Sequence, residues 1–165
     1  MSFRIRAFQK TDFESLWRID QICFDPLLAY SRPELAFYMR RPGAFTLVAE
    51  PLTGKVGDGD FGGIVGFIVA EVRRRAGHII TIDVIPASRR GGIGSALLQA
   101  AEDHLRAAGA ATVELETAVD NSGAIHFYRQ KGYFVEKTVP GYYSNHLDAL
   151  VMRKDLAATS VASGT

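Results

Sequence analysis

Residues 88–95 read Ser-Arg-Arg-Gly-Gly-Ile-Gly-Ser, between an apolar, β-branched run and a strongly amphipathic helical pattern. A strand that feeds a helix through three glycines limits the chain to α/β layering. It also sets up an anion site. Free N–H groups at a helix start point outward, and the helix dipole adds partial positive charge. Gly91, Gly92 and Gly94 carry no Cβ, so a bulky anion can approach the main chain, and Arg89 and Arg90 add formal charge beside it. Together these features suit a pyrophosphate. A P-loop is excluded, since no Gly-Lys-Ser/Thr follows. A dinucleotide fold fits poorly, because Leu97 stands at the third small position and residues 86–90 intervene after the strand. Glu114 and Glu116 lie about where a ribose-binding acid would, so a nucleotide-binding oxidoreductase fragment stays open.

Around this loop the periodicities define one domain. Phe3 to Phe8 alternates as a half-buried strand, and Thr11 with Glu14 forms a capping-box pattern that opens a helix through Leu16, Ile19 and Cys23. Ser31 and Glu34, with Pro33 in the first turn, open a second helix ending near Arg40. A strand over Ala44–Glu50, a glycine-rich hairpin loop over 51–60, and strands over Phe61–Arg73 and His78–Ile85 follow, the last two joined by a turn at Ala76-Gly77. Ile93, Ala96, Leu97, Ala100, Ala101, His104 and Leu105 repeat at helical spacing, with Gly109 placed to end that helix. A strand over Ala111–Ala118, a helix over Asn121–Lys131 stopped by Gly132, and strands over Tyr133–Thr138 and Leu147–Lys154 complete the pattern. The order β-α-α-β-β-β-α-β-α-β-β predicts an α/β domain with a mixed central sheet over residues 1–156 and a loose tail of small residues over 157–165.

Bulk properties bound the function. With 165 residues, 47% hydrophobic and 22% charged, the chain has one globular core. A formal charge of +1 provides no long-range field for nucleic acid, so none is expected as a partner. The single cysteine, Cys23, excludes an internal disulfide and a cysteine zinc site, and the four histidines show no metal spacing. His104 is expected to pack, and Cys23, in an apolar stripe, to belong to the core rather than to carry an acyl group. The N-terminal stretch has no apolar run resembling a signal peptide, and the longest apolar run, Ile64 to Ala70, falls far short of the roughly 20 residues that span a bilayer. The expected setting is cytoplasmic, with no membrane partner.

Val84-Ile-Pro-Ala-Ser-Arg-Arg-Gly-Gly-Ile-Gly-Ser-Ala-Leu-Leu98 resembles the acetyl-CoA signature of the GNAT N-acetyltransferase superfamily, Arg/Gln-x-x-Gly-x-Gly/Ala, with Arg89, Gly92 and Gly94 at its fixed positions. The element order is similar to that fold from first strand to last. The resemblance implies a mostly antiparallel sheet flanked by helices, acetyl-CoA as acetyl donor, and no metal. It further implies that amides of Arg90, Gly91, Gly92, Ile93, Gly94 and Ser95 hold the pyrophosphate and that the strand ending at Val84 pairs with the pantetheine arm.

Acetyl transfer to an amine needs a neutral nucleophile and a proton for the departing thiolate. Near pH 7.5, deprotonation costs about 4 kcal/mol for a lysine amine and about 0.4 kcal/mol for an α-amine. Tyr128 is the candidate acid, since a phenol of reference pKa about 10 stays protonated at neutral pH. Asn121 to Tyr133 resembles the family's Asn-x-x-Ala-x-x-x-Tyr-x-x-x-Gly-Phe/Tyr segment, in which that tyrosine is the acid and the asparagine touches the cofactor. Without the resemblance, Tyr128 reads equally as part of an apolar helix face and Asn121 as an N-cap. Glu116 is the candidate base: in Val113-Glu-Leu-Glu116 the two carboxylates share a strand face that must meet solvent or a cleft. In ribosomal-protein-alanine N-acetyltransferases, the branch this chain resembles most, a glutamate lies at the same spacing before the tyrosine. Glu114 and His126 are the reserves.

Asp20 to Phe24, Tyr30 to Leu35, Gly141 to Tyr143 and Asp148 to Met152 resemble the same branch, which implies acceptor contacts at Tyr30, Tyr142 and Tyr143. The expected acceptor is a primary amine, a peptide N-terminus or a small molecule, and the protein a monomer or homodimer. Lysine or small-molecule acetylation and a non-catalytic acyl-CoA-binding module remain as alternatives.

Overall fold

The computed structural model describes residues 2–52, 61–143 and 146–156. Among the described residues, seven strands form one sheet: β1 (Phe3–Ala7), β2 (Ala44–Pro51), β3 (Gly66–Arg73), β4 (Ala76–Val84), β5 (Thr112–Ala118), β6 (Phe134–Val139) and β7 (Ala149–Asp155). Their spatial order is β1-β2-β3-β4-β5-β7-β6. Every neighbouring pair is antiparallel except β4 and β5. The helices are α1 (Phe13–Cys23), α2 (Arg32–Met39), α3 (Ile93–Ala107) and α4 (Ser122–Gln130). The element order expected from sequence is therefore present, with short 3-10 turns added at Lys10–Asp12 and Pro86–Ser88.

α3 lies on the sheet face that carries Gly66 and Gly77: a Cβ at Gly66 would come within 3.3 Å of Leu97, and one at Gly77 within 2.9 Å of Leu105. Leu97, Leu98 and Leu105 are buried there, each worth about 1.5–3 kcal/mol relative to exposure. α1 and α2 cover the opposite face, where Leu16, Ile19 and Leu35 meet Phe67 and Val69 in the core. Ser31 and Glu34 form the expected capping box, with Glu34 N–H donating to Ser31 Oγ at 3.2 Å and Ser31 N–H to Glu34 Oε1 at 3.0 Å.

Three expectations are corrected. The box at Thr11 and Glu14 does not form. Asp12 takes the role instead, accepting from Gln9 N–H at 2.8 Å while the Arg6 guanidinium grips it at 2.8 and 3.0 Å. Glu14 turns to Arg32, at 2.6 Å. β3 starts at Gly66 rather than Phe61, because Gly62 and Gly63 turn the chain with φ of 61° and 84°. The β3–β4 turn is Arg74-Arg75, with Arg74 at φ 56°, and Ala76 and Gly77 belong to the strand. Gly77 is small because α3 crosses close above it, not because the chain turns there. His104 is exposed and stacks on Phe45 at 3.8 Å between ring centres. Most of the loop 51–60 and the tail from 157 lie outside the described residues. Among the described residues no helix is long and apolar enough to cross a membrane.

Candidate active site

β4 and β5 pair only through Ala76 with Thr112, Gly77 with Val113 and His78 with Glu114. Beyond His78 the two strands diverge. Each then shows its partner an edge of unused N–H and C=O groups, which a ligand can pair with. Opposite β3 the register slips by one residue at Ile80, so that Glu71 faces His78, Val69 faces Thr81 and Phe67 faces Asp83. His78, Thr81 and Asp83 therefore project to the side covered by α1 and α2. The wedge opens into a cleft of about 1100 Å³.

One end of the cleft is the glycine loop. Gly92 caps α3 with φ 85° and no side-chain partner, a conformation that suits glycine. The N–H groups of residues 90–95 find no backbone acceptor among the described residues. A Cβ at Gly92 would meet nothing within 4 Å, and one at Gly94 would touch Phe127 at 3.5 Å, so the missing side chains leave room for a ligand rather than relieve a clash within the protein. Arg90 sits at φ 68°. Arg89 folds back, its Nε donating to the Val84 carbonyl at 2.9 Å, and thereby ties the loop to the end of β4. The Cys23 thiol lies against the same carbonyl at 3.4 Å. Burial, with Asp83 nearby, pushes that thiol up to about 12, so it stays protonated and is no nucleophile at neutral pH. Asn121 caps α4, its side-chain oxygen accepting from Ala124 N–H at 3.2 Å, and lines the cleft.

The middle of the cleft holds the titratable groups. Tyr128 is 7% exposed and lines the cavity. Burial, then the charges of Asp83 and Tyr143, push its phenol above the ordinary range. Glu116, on β5, lines the same cavity. Its carboxylate meets His78 Nε2 at 2.7 and 3.0 Å and accepts from the Tyr142 hydroxyl at 3.2 Å. On its other side His78 Nδ1 lies 3.7 Å from Glu71, which pairs with Arg41 at 3.1 Å. Burial works against charge on His78, yet the Glu116 and Glu71 carboxylates outweigh it and hold the imidazole above its usual pKa. Burial and Glu116 push Tyr142 up to about 12.

Tyr30 and Tyr143 also line the cleft, so the three expected acceptor contacts stand around one mouth, with Tyr38 beside them 5.2 Å from Tyr30 between ring centres. Neither reserve base joins the site: His126 is exposed on α4, and Glu114 sits at the last paired position opposite His78, outside the cleft lining, where burial and its neighbour Glu136 raise its pKa. His78, Arg41 and Tyr38 were given no role from sequence. Nor was a buried acid pair under the cleft floor. Asp20 and Asp83 are 0% and 1% exposed, each has one buried carboxyl oxygen with no hydrogen-bond partner, and burial raises both, which favours a proton held on the pair. Thr81 Oγ1 donates to Asp83 at 2.6 Å, and Asp20 accepts from Tyr30 N–H at 2.8 Å. Only the pairing of α1 with β4 could reveal this. Among the described residues no cluster of His, Cys, Asp and Glu is placed to hold a metal ion.

Residues 13–133 match the acetyltransferase (GNAT) family. An N-alpha-acetyltransferase of Sulfurisphaera tokodaii is 30% identical over 93% of each chain. The crystal structure of Ard1 from Thermoplasma volcanium superposes with a TM-score of 0.81 at 30% identity, covering 94% of this chain and 98% of that one. The ribosomal-protein-S18-alanine N-acetyltransferase of Escherichia coli has the same fold, with a TM-score of 0.78 at 23% identity over 94% of each chain.

Proposed function

Because this chain belongs to the acetyltransferase (GNAT) family, and so is an acetyl-CoA-dependent N-acetyltransferase, we propose that its acceptor is the α-amine of a polypeptide N-terminus. We assign the proton transfers to Tyr128 and to a Glu116–His78 dyad. Acetyl-CoA supplies an acyl carbon activated as a thioester. The free amides of residues 90–95 and the glycines among them fit its pyrophosphate, and the unpaired edge of β4 fits an extended amide-bearing arm.

The observation that carries the reading is the arrangement inside one cleft of a protonated phenol and a carboxylate held by an imidazole. The Glu116–His78 dyad takes the proton that the amine sheds as its new C–N bond forms. Tyr128 gives its proton to the sulfur as the C–S bond breaks, and its raised pKa keeps that proton available across the neutral range. An α-amine needs only about 0.4 kcal/mol of deprotonation near pH 7.5, against about 4 kcal/mol for lysine, so a carboxylate-based dyad of modest basicity suffices. Tyr30, Tyr142 and Tyr143 present amphipathic rings to the first residues of the acceptor.

The test is thiol release from acetyl-CoA with three acceptors: a lysine-free peptide with a free N-terminus, an N-terminally blocked lysine peptide, and a polyamine. Mass spectrometry should place the acetyl group on the α-amine of the first. Transfer to the blocked peptide or the polyamine at an equal or higher rate would overturn the assignment.

A further inference from the structure

The fold gathers five arginines that the sequence keeps apart. Arg40 and Arg41 end α2, Arg73 ends β3, and Arg74 and Arg75 form the turn after it. Arg40, Arg41 and Arg73 line an open groove of about 700 Å³ together with Pro33, Phe37 and Pro42. Phe37 is 62% exposed on its floor. Arg41 is the hinge between two cavities, since it lines both this groove and the catalytic cleft. From the cleft a continuous row of charged groups leads there: Glu116, His78 at 2.7 Å, Glu71 at 3.7 Å and Arg41 at 3.1 Å.

Only part of this positive charge is matched. Glu71, 4% exposed, is the carboxylate within reach of Arg41 and Arg73, and Arg73 is 3.9 Å from it. Arg40, Arg74 and Arg75 are exposed and meet no carboxylate at ion-pair distance among the described residues. In a chain whose net charge is +1, five cations beside the mouth of the cleft form a local field rather than a general one. An extended peptide advances about 3.4 Å per residue. With its first residue at Glu116, and with His78 and Glu71 between there and Arg41 at the groove, the chain of an extended acceptor runs on toward the arginines beyond its first few residues.

We propose that this groove is a downstream acceptor subsite that selects polypeptides with acidic side chains a few residues after the acetylated N-terminus. The inference rests on the reading of the cleft as an N-terminal acetylation site and adds a specificity that the catalytic residues do not supply. An acidic peptide fits better than a nucleic acid, because the groove continues the acceptor cleft and Phe37 and two prolines give it an apolar floor.

The experiment compares two peptides that share their first three residues and continue with Asp-Glu-Asp-Glu or with Asn-Gln-Asn-Gln. For the native protein, kcat/KM should favour the acidic peptide about tenfold at low salt, through KM. The ratio should fall toward one at about 1 M salt, where charges are screened beyond roughly 3 Å, and in an Arg40→Gln/Arg73→Gln variant. Equal kcat/KM for the two peptides, or a preference unchanged in that variant, would overturn the subsite. Binding of both peptides to the CoA-loaded protein, followed by fluorescence anisotropy, decides the matter independently of turnover: preferential, salt-sensitive binding of the acidic peptide supports it, and equal or absent binding overturns it. Tighter binding of a single-stranded RNA of similar charge would also overturn it. Failure of the catalytic reading would show differently, as no acetylation of the neutral peptide at any concentration.

Discussion

Replacing Tyr128 with Phe removes one oxygen atom from the cleft and little else. The ring is 7% exposed, packed against Phe127 and Tyr133 at 5.2 and 5.7 Å between centres, and its hydroxyl has no hydrogen-bond partner among the described residues. Phenylalanine keeps the packing and deletes no internal bond, so stability should change by less than about 1 kcal/mol. Catalysis should change far more. A positioned general acid contributes about 10²–10⁴ in rate, which at about 1.36 kcal/mol per decade is roughly 3–5 kcal/mol of transition-state stabilisation. The effect belongs in kcat, because under the proposed reading the pyrophosphate belongs to the loop at residues 90–95, whose amides have no backbone acceptor among the described residues, and not to Tyr128. Steady-state kinetics with a peptide acceptor, thermal unfolding and acetyl-CoA titration of the variant separate the three. A kcat within about threefold of the native value, with unfolding unchanged, would remove Tyr128 as the acid.

Further outcomes follow from the same geometry. Because Glu116 and Glu71 raise the His78 pKa, and the acceptor amine must also be neutral, log kcat/KM should rise with a slope near 2 on its acid side. In His78→Asn the slope should drop to near 1; an unchanged slope would exclude His78 from the dyad. Asp83 is raised above its unfolded value by burial and by Asp20, so its contribution to stability is full below the unfolded pKa, about 3.9, and is lost as pH rises through the native pKa. Urea unfolding should therefore show Asp83→Asn gaining on the native protein between pH 5 and pH 9, and a gap that widens the other way would refute the proton held on the pair. Glu102, 1% exposed, accepts from Tyr133 Oη and Lys154 Nζ, each at 2.8 Å. Lys154→Met leaves that buried carboxylate with Tyr133 and the more distant Arg106, at 3.8 Å, and should cost about 3 kcal/mol in chemical denaturation; a cost under about 0.5 kcal/mol would contradict the pairing.

What the sequence made legible was governed by local rules. The Ser31–Glu34 box, the Asn121 cap and the helix stops at Gly109 and Gly132, with φ of 91° and 94°, follow from a few adjacent residues. The glycine loop was readable because its chemistry is contiguous. Misreadings arose where a distant partner overruled a local pattern: Arg6 draws Asp12 into the cap expected of Thr11, and Leu105 explains a glycine that reads as a turn. The same holds for the site. Tyr128 and Glu116 lie on neighbouring elements, and only the resemblance of those segments to the family's singles them out as candidates. His78 joins Glu116 only through the β4–β5 register, Asp20 meets Asp83 only when α1 docks on the sheet, and the arginine groove needs α2 set beside the β3–β4 turn. None of these pairings has a periodicity to betray it.

Calorimetric titration with acetyl-CoA bears most directly on the whole account, because every catalytic assignment presupposes a diphosphate seated on the bare amides of residues 90–95. The native protein should bind one equivalent. A Gly92→Val/Gly94→Val variant, which forces a β-branched residue to φ 85° and fills the space over those amides, should bind at least about tenfold more weakly. No heat of binding from the native protein, or equal affinity in the variant, would contradict the account at its base.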